Sequence, residues 1–257
     1  MTRPLFYAPA PEIGSLAVGD RYLLSGTEAH HAATVRRLVA GEEFLLSDAE
    51  GLRLSCVVEQ VSAGRPSEAS LLLEVTGVDR EESPAPQLTL VQALAKDSRD
   101  EQAVETATEL GVDAVYPWQA ERSIVRWKAE RAAKALAKWR SVVWAAAKQS
   151  RRSVVPAVHQ PLDSGTLADW VRAGAGTRLV LMLDEESAQP LRELVPVDST
   201  LQEVAVIVGP EGGISPRERD LLAAAGALSA SLGPHVLRSS TAGPAAIVLL
   251  NEILRRW

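Results

Sequence analysis

Val204-Ala-Val-Ile-Val-Gly-Pro-Glu-Gly-Gly-Ile-Ser-Pro-Arg-Glu218 reads as a strand, a glycine loop and a helix start, and the fold class follows from that order. Val204 to Val208 is an unbroken apolar run, as in a strand covered by helices on both faces. Ser215 is a candidate N-cap, Pro216 suits the first helical position, and Glu218 completes a capping box. The helix they begin has Leu221, Leu222 and Ala225 on one face and stops at Gly226. Leu228 to Leu232 is the next short strand. Leu232-Gly-Pro-His-Val-Leu-Arg-Ser-Ser-Thr-Ala-Gly243 is a second glycine loop, and a helix is expected from about Pro244, with Ile247, Leu250, Ile253 and Leu254 at helical spacing. Strand, glycine loop and helix therefore occur twice over. In open α/β sheets ligands bind beyond the carboxyl ends of the strands, where both loops fall.

The same grammar extends upstream to Leu88. Strands are expected over Leu88 to Leu94, Val112 to Pro117 and Arg178 to Leu183, with helices from about Asp97 to Leu110 and from Lys128 to Ser150. The longer helix turns Ala132, Leu136, Trp139, Val143 and Ala146 inward and leaves many basic residues outside. Before Leu88 the pattern changes. Residues 77–87 are charged and then proline-bearing, without periodicity, and read as a linker. Residues 1–76 carry short strands (Tyr22 to Leu24, Glu43 to Ser47, Leu52 to Val61, Ser70 to Val78) and form a small barrel or sandwich. Within them, Thr27 to Arg37 reads as a short helix that gathers His30, His31, Arg36 and Arg37.

A chain of 257 residues, 46% of them hydrophobic, has room for substantial cores. The single cysteine, Cys56, excludes an intramolecular disulfide and reads as a small buried residue. The histidines lack metal-ligand spacing, so no metal is expected. Without a signal-like N-terminus or an apolar run of about 20 residues, no membrane segment is expected, and the expected compartment is the cytoplasm. Net charge is −6, yet residues 121–152 hold ten basic residues against two acidic ones, a local +8 that leaves −14 elsewhere. That asymmetry marks either a polyanion-binding face or a solvated helix.

The loops are not a GxxxxGK(S/T) phosphate loop, a GxSxG elbow, an HExxH helix or GxGxxG. His235, four residues before Ser239, is not a triad signal. Glycines let backbone N–H and C=O groups approach a ligand, which suits the edge of a neutral heterocycle such as adenine. The residues by themselves leave two readings open, an adenine-containing ligand at the strand ends or glycines that only turn the chain.

Five segments together carry a resemblance. Thr106-Ala-Thr-Glu-Leu-Gly-Val112, Glu121-Arg-Ser123, Ala147-Lys-Gln-Ser150, Val208-Gly-Pro-Glu-Gly-Gly213 and Leu232 to Ala242 resemble the SPOUT-class ribosomal RNA methyltransferases that act on uracil N3 of 16S RNA. The resemblance implies a SPOUT α/β domain with a trefoil knot over 88–257, a linker at 77–87, and a PUA-like RNA-binding β-barrel over 1–76. It implies S-adenosylmethionine held by Leu183, Val208, Gly209, Pro210, Glu211, Gly212, Gly213, Leu232, Gly233, Val236 and Leu237. It further implies a homodimer, and 16S rRNA within the small ribosomal subunit as partner. Arg238 is the candidate catalytic residue, favouring the deprotonated uracil by its charge or clamping the nucleotide. Arg36, Arg37, Arg122, Arg126, Arg151 and Arg152 are candidates for holding RNA phosphates. Glu211 reads as turn geometry. Where many members have Arg-Thr-Glu-Thr, this chain has Arg238-Ser-Ser-Thr241, so a glutamate base there is absent; Lys148-Gln-Ser-Arg151 replaces Glu-Gln-x-Gly and adds positive charge. The alternatives are another SPOUT reaction, ribose 2′-O or guanine N1 methylation, and an RNA-binding assembly factor of the same fold with little catalysis.

Overall fold

The computed structural model describes residues 3–82, 84–196 and 200–257. Two compact units emerge, one formed by residues 1–83 with 147–155 and the other by 84–146 with 156–257.

The first unit contains β1 (Leu5–Tyr7), α1 (Ala10–Ile13), β2 (Arg21–Ser25), α2 (Gly26–His30), β3 (Glu43–Ser47), β4 (Leu52–Ser62) and β5 (Ser70–Arg80). Its five-stranded curled sheet runs β1-β3-β4-β5-β2 and is antiparallel except where β1 lies parallel to β3. Alternation of buried and exposed positions along β4 puts Leu52, Leu54, Cys56 and Val58 into the core with Phe6, Phe44, Leu71 and Leu73. Two register irregularities in the β4–β5 ladder, at Ser55/Cys56 and Val58/Gln60, are the bulges through which a long hairpin curls. Burial pushes the Cys56 thiol up to about 12, so it stays a protonated core side chain. Past α2, the expected helix continues as a π-helical turn, His31–Val35.

Two boundaries differ from those read in the sequence. Gly77 to Arg80 pair with Ser55 to Leu52, so β5 continues into the expected linker; Ser83, in the same linker, lies outside the described residues. Residues 147–155 belong with the first unit rather than with the C-terminal one. Ser153 O accepts hydrogen bonds from Gly51 N (3.1 Å) and Ser47 Oγ (3.0 Å), Arg152 O accepts one from Tyr7 Oη (2.8 Å), and Glu50 bridges Val154.

The second unit contains β6 (Gln87–Ala93), α3 (Arg99–Glu109), β7 (Ala114–Gln119), α4 (Ala129–Ser150, its last turn counted with the first unit), β8 (Ala157–Val158), β9 (Leu162–Asp163) and α5 (Ser164–Ala173). These are followed by β10 (Arg178–Leu183), α6 (Leu191–Leu194), β11 (Glu203–Val208), α7 (Pro216–Ala225), β12 (Leu228–Ala230) and α8 (Ser239–Ile253). Every pairing is parallel, in the order β12-β10-β11-β6-β7-β8, with β9 also on β7. Parallel strands need crossovers, and the helices supply them and cover the apolar faces. The α7 capping box forms as read: Ser215 Oγ accepts from Glu218 N, and Gly226 ends the helix at φ +112°.

α8 begins at Ser239, five residues before Pro244, which lies inside the helix. It packs closely because Gly243 lacks a side chain: a Cβ there would sit 2.9 Å from Leu90 Cδ1. At the other end of the unit, buried Arg256 donates to Asp113 Oδ2 (2.8 Å) and Pro86 O (2.9 Å), and the same carboxylate oxygen accepts from Leu88 N (2.7 Å). Removing one partner of such a pair leaves a buried charge uncompensated, so Arg256→Ala is expected to lower the unfolding free energy by about 3–5 kcal/mol in urea titrations.

Candidate functional site

The carboxyl ends of β10, β11 and β12 open on a cavity of about 520 Å³. All eleven residues assigned to the cofactor from the sequence line it, from Leu183 through Val208 to Gly213 and on to Leu237, and so do Arg238 and Arg122. The same wall includes Arg99, Arg219, the acidic run Asp184-Glu185-Glu186, His235 and Ser239, which the sequence reading did not assign to the cavity.

The loop after β11 and the segment after β10 are held by side-chain contacts. Glu218 is fully buried although charged residues seldom are. Its carboxylate accepts from Ser215 N (3.2 Å), Glu121 N (2.7 Å) and Ser164 Oγ (2.5 Å), joining the start of α7, the exit of β7 and the start of α5. Glu121 in turn accepts from Ser215 Oγ (2.6 Å) and pairs with Arg217; the Ser215 hydrogen bond, then Arg217, hold its carboxyl below the usual range. Next to it, Arg122 Nη1 donates to Gly212 O (2.9 Å), and Arg126 Nη2 donates to Glu121 O (2.7 Å). Also on the cavity wall, Arg219 pairs with Asp184 (2.9 Å) and Glu186 (3.6 Å), and Arg99 with Glu211 (3.3 Å). Glu211 thus ties its loop to α3. Arg238 is exposed at the N-cap of α8, with no ion-pair partner among the described residues.

Gly209 has a structural explanation independent of any ligand. A Cβ there would lie 2.8 Å from Ile214 Cγ1, so the loop could not fold back on itself, whereas a Cβ at Gly212 would meet Arg122 Cβ at an ordinary 3.4 Å. Gly213 takes φ +73°, a conformation L side chains rarely adopt.

The arginines assigned to RNA fall in both units. Arg122, on the cavity wall, and Arg126, bonded to Glu121 O, lie in the second unit, while Arg36, Arg37, Arg151 and Arg152 belong to the first, all exposed except half-buried Arg152. Lys148 does not add a free charge. Its Nζ lies 2.8 and 2.7 Å from the two Glu28 carboxylate oxygens and 5.0 Å from the centre of the Phe6 ring. His31, whose Nδ1 is 3.3 Å from the same ammonium, is held below its usual pKa by burial first and by Lys148 second. Among the described residues no cluster of three or more His, Cys, Asp or Glu could hold a metal ion, and no helix is long and apolar enough to cross a membrane.

Residues 81–251 match the model of an RNA methyltransferase domain, and residues 24–65 that of an RNA methyltransferase PUA domain. A Mycobacterium bovis ribosomal RNA small subunit methyltransferase E is 41% identical over 262 aligned positions, covering 100% of this chain and 94% of that protein. This chain belongs to the ribosomal RNA small subunit methyltransferase E family. The structure of a Neisseria gonorrhoeae member bound to S-adenosyl methionine is similar with a TM-score of 0.82 at 28% identity, covering 98% of both chains. A Legionella pneumophila structure with bound SAM gives 0.80 at 28%, again over 98% of each chain. Family membership explains why the N-terminal sheet and the all-parallel C-terminal sheet occur in one polypeptide.

The loop geometry separates two glycines that the sequence treats alike. Gly209→Ala is expected to lower stability by about 1–3 kcal/mol through overpacking, and Gly212→Ala to change it by less than about 0.5 kcal/mol, as measured by chemical denaturation.

Proposed function

We propose that this protein transfers the methyl group of S-adenosylmethionine to N3 of a uridine in 16S rRNA of the small ribosomal subunit, as a cytoplasmic homodimer. The observation that carries the reading is the convergence of three strand-end loops on one cavity in a member of this family. About 520 Å³ lies within the range of small-molecule sites. Four carboxylates and four guanidiniums among the lining residues suit a cofactor that carries both signs of charge. The backbone of Gly209 to Gly213 and of Leu232 to Leu237 would hold it, with Leu183 beside them. Part of the same reading is a trefoil crossing of the C-terminal segment, with the two cavities of a dimer near the shared interface.

When bound, the cofactor supplies an electrophilic methyl group on a sulfonium. Uracil N3 is an imide nitrogen and must lose its proton to attack. Arg238, exposed at the cavity and without an ion-pair partner among the described residues, would favour that anion or hold the nucleotide. N3 lies on the pairing edge, so the base must be unpaired or drawn out of its stack. Arg122 and Arg126 of the second unit and Arg36, Arg37, Arg151 and Arg152 of the first would each hold phosphates of the RNA, and affinity for RNA would then fall steeply with salt.

The test is incubation of purified protein with radiolabelled S-adenosylmethionine and small subunits from cells lacking the gene, followed by digestion to nucleosides. Label is expected in 3-methyluridine, and Arg238→Ala is expected to slow transfer about 10²-fold with cofactor affinity unchanged. Label in another nucleoside would contradict the base and position. Tight cofactor binding without transfer would favour the assembly-factor reading.

A further inference from the structure

At the cavity wall, the start of α8 holds polar groups without a partner among the described residues. Ser239 is 8% exposed, lines the cavity, and its Oγ has no hydrogen-bond partner among the described residues. A buried hydroxyl without a partner costs about 1–3 kcal/mol, so an empty one facing a cavity points to a ligand atom. Around it, the fifteen-residue helix α8 starts at the cavity wall with no side-chain cap. The N–H groups of Thr241 and Ala242 bond back to Arg238 O (2.8 and 2.9 Å), while those of Ser239 and Ser240 have no partner among the described residues. Uncapped first-turn N–H groups, together with the helix dipole, form a ready site for negative charge. His235 makes no hydrogen bond to Ser239, which sets a serine nucleophile aside.

The need for such a site comes from the neighbouring carboxylates. Of the four lining carboxylates, Asp184 and Glu186 are paired with Arg219 and Glu211 with Arg99, Glu185 is exposed, and no carboxylate stands in the sequence between Arg238 and Thr241. Stabilising the anion at the start of α8 requires none of these side chains to take up a proton. When the imide proton leaves N3 for solvent water, the charge spreads onto the flanking carbonyl oxygens. The N3 lone pair then forms the bond to the methyl carbon, and the pair of the broken C–S bond stays on sulfur, leaving a neutral thioether.

We propose that Ser239 Oγ and the first N–H groups of α8 form an oxyanion pocket for a carbonyl oxygen of the target pyrimidine, and that this pocket, with Arg238, replaces a carboxylate base. The assignment rests on the uracil N3 reading. Pre-aimed donors of this kind stabilise charge where it develops and require no reorganisation during the reaction.

Ser239→Ala removes the hydroxyl without adding volume, and Ser239→Thr restores it. Three quantities are measured on the full-length protein: S-adenosylmethionine affinity by calorimetry, thermal midpoint, and the pH profile of single-turnover methyl transfer to small subunits. The alanine variant is expected to bind cofactor within about twofold of wild type and to transfer methyl about 10–100-fold more slowly near neutral pH, scaled from the loss of one oxyanion donor. Its rate should rise at higher pH than that of wild type, and the threonine variant should recover most of the difference. Wild type forming 3-methyluridine while the alanine variant keeps its rate and profile overturns the pocket alone. Parallel loss of rate and cofactor affinity with an unshifted profile overturns it as well, and assigns the hydroxyl to the cofactor. Wild type labelling a different nucleoside overturns the N3 reading and this assignment together.

Discussion

Parallel pairing of β11 between β10 and β6 is the constraint on which the second unit depends. Residues Glu203 to Ile207 pair on both sides, and Val208 continues the ladder with Gln92. Because the pairing is parallel, the carboxyl ends of β10, β11 and β12 share one edge, and whatever follows them must turn there. The loop after β11 turns through Gly209 and Gly213 and enters α7 over a capping box. The loop after β12 enters α8, which approaches the sheet closely because Gly243 has no Cβ to strike Leu90.

Glu218 shows how the cavity is fixed from outside its wall. A carboxylate that would ordinarily be a surface helix cap is instead buried, and it gathers α7, the β7 exit and α5. Burial is tolerated because three donors satisfy the carboxylate. The same arrangement positions Glu121 and Arg122, and Arg122 then holds the carbonyl of Gly212 on the loop that lines the cavity. The buried Glu218 thus acts through Glu121 and the cavity-lining Arg122 on the backbone groups that would meet a ligand.

Local signals in the sequence identify α7 well: Ser215, Pro216, Glu218 and Gly226 each act within a few residues of where they stand. The two glycine loops are legible from the apolar runs before them, whereas the eleven cofactor residues come from the family resemblance, and the structure brings all of them to one cavity. Other features depend on long-range contacts. The three-residue strand β1 is stabilised by pairing with β3, some forty residues on, and no periodicity marks it. Residues 147–155 are the last turn of α4 and the segment after it, yet the partners of Arg152 to Val154 are Tyr7, Ser47, Glu50 and Gly51. Lys148 reads as an extra surface charge until Glu28 is found beside it. The start of α8 was misplaced because Pro244 resembles a first-turn proline, whereas the chain is already helical from Ser239. Ser239 stands in the Arg238-Ser-Ser-Thr241 segment of the resemblance, but the segment assigns it no role. Its significance comes from being buried without a partner, which only coordinates reveal.

The central claim is that the three strand-end loops form one cofactor site. A crystal structure of the protein with S-adenosylmethionine tests it most directly. The account predicts a cofactor in contact with Leu183, Gly209 to Gly213 and Leu232 to Leu237, its methyl group facing Arg238 and Ser239. A cofactor seated elsewhere, or one whose methyl points away from the mouth of α8, would contradict it.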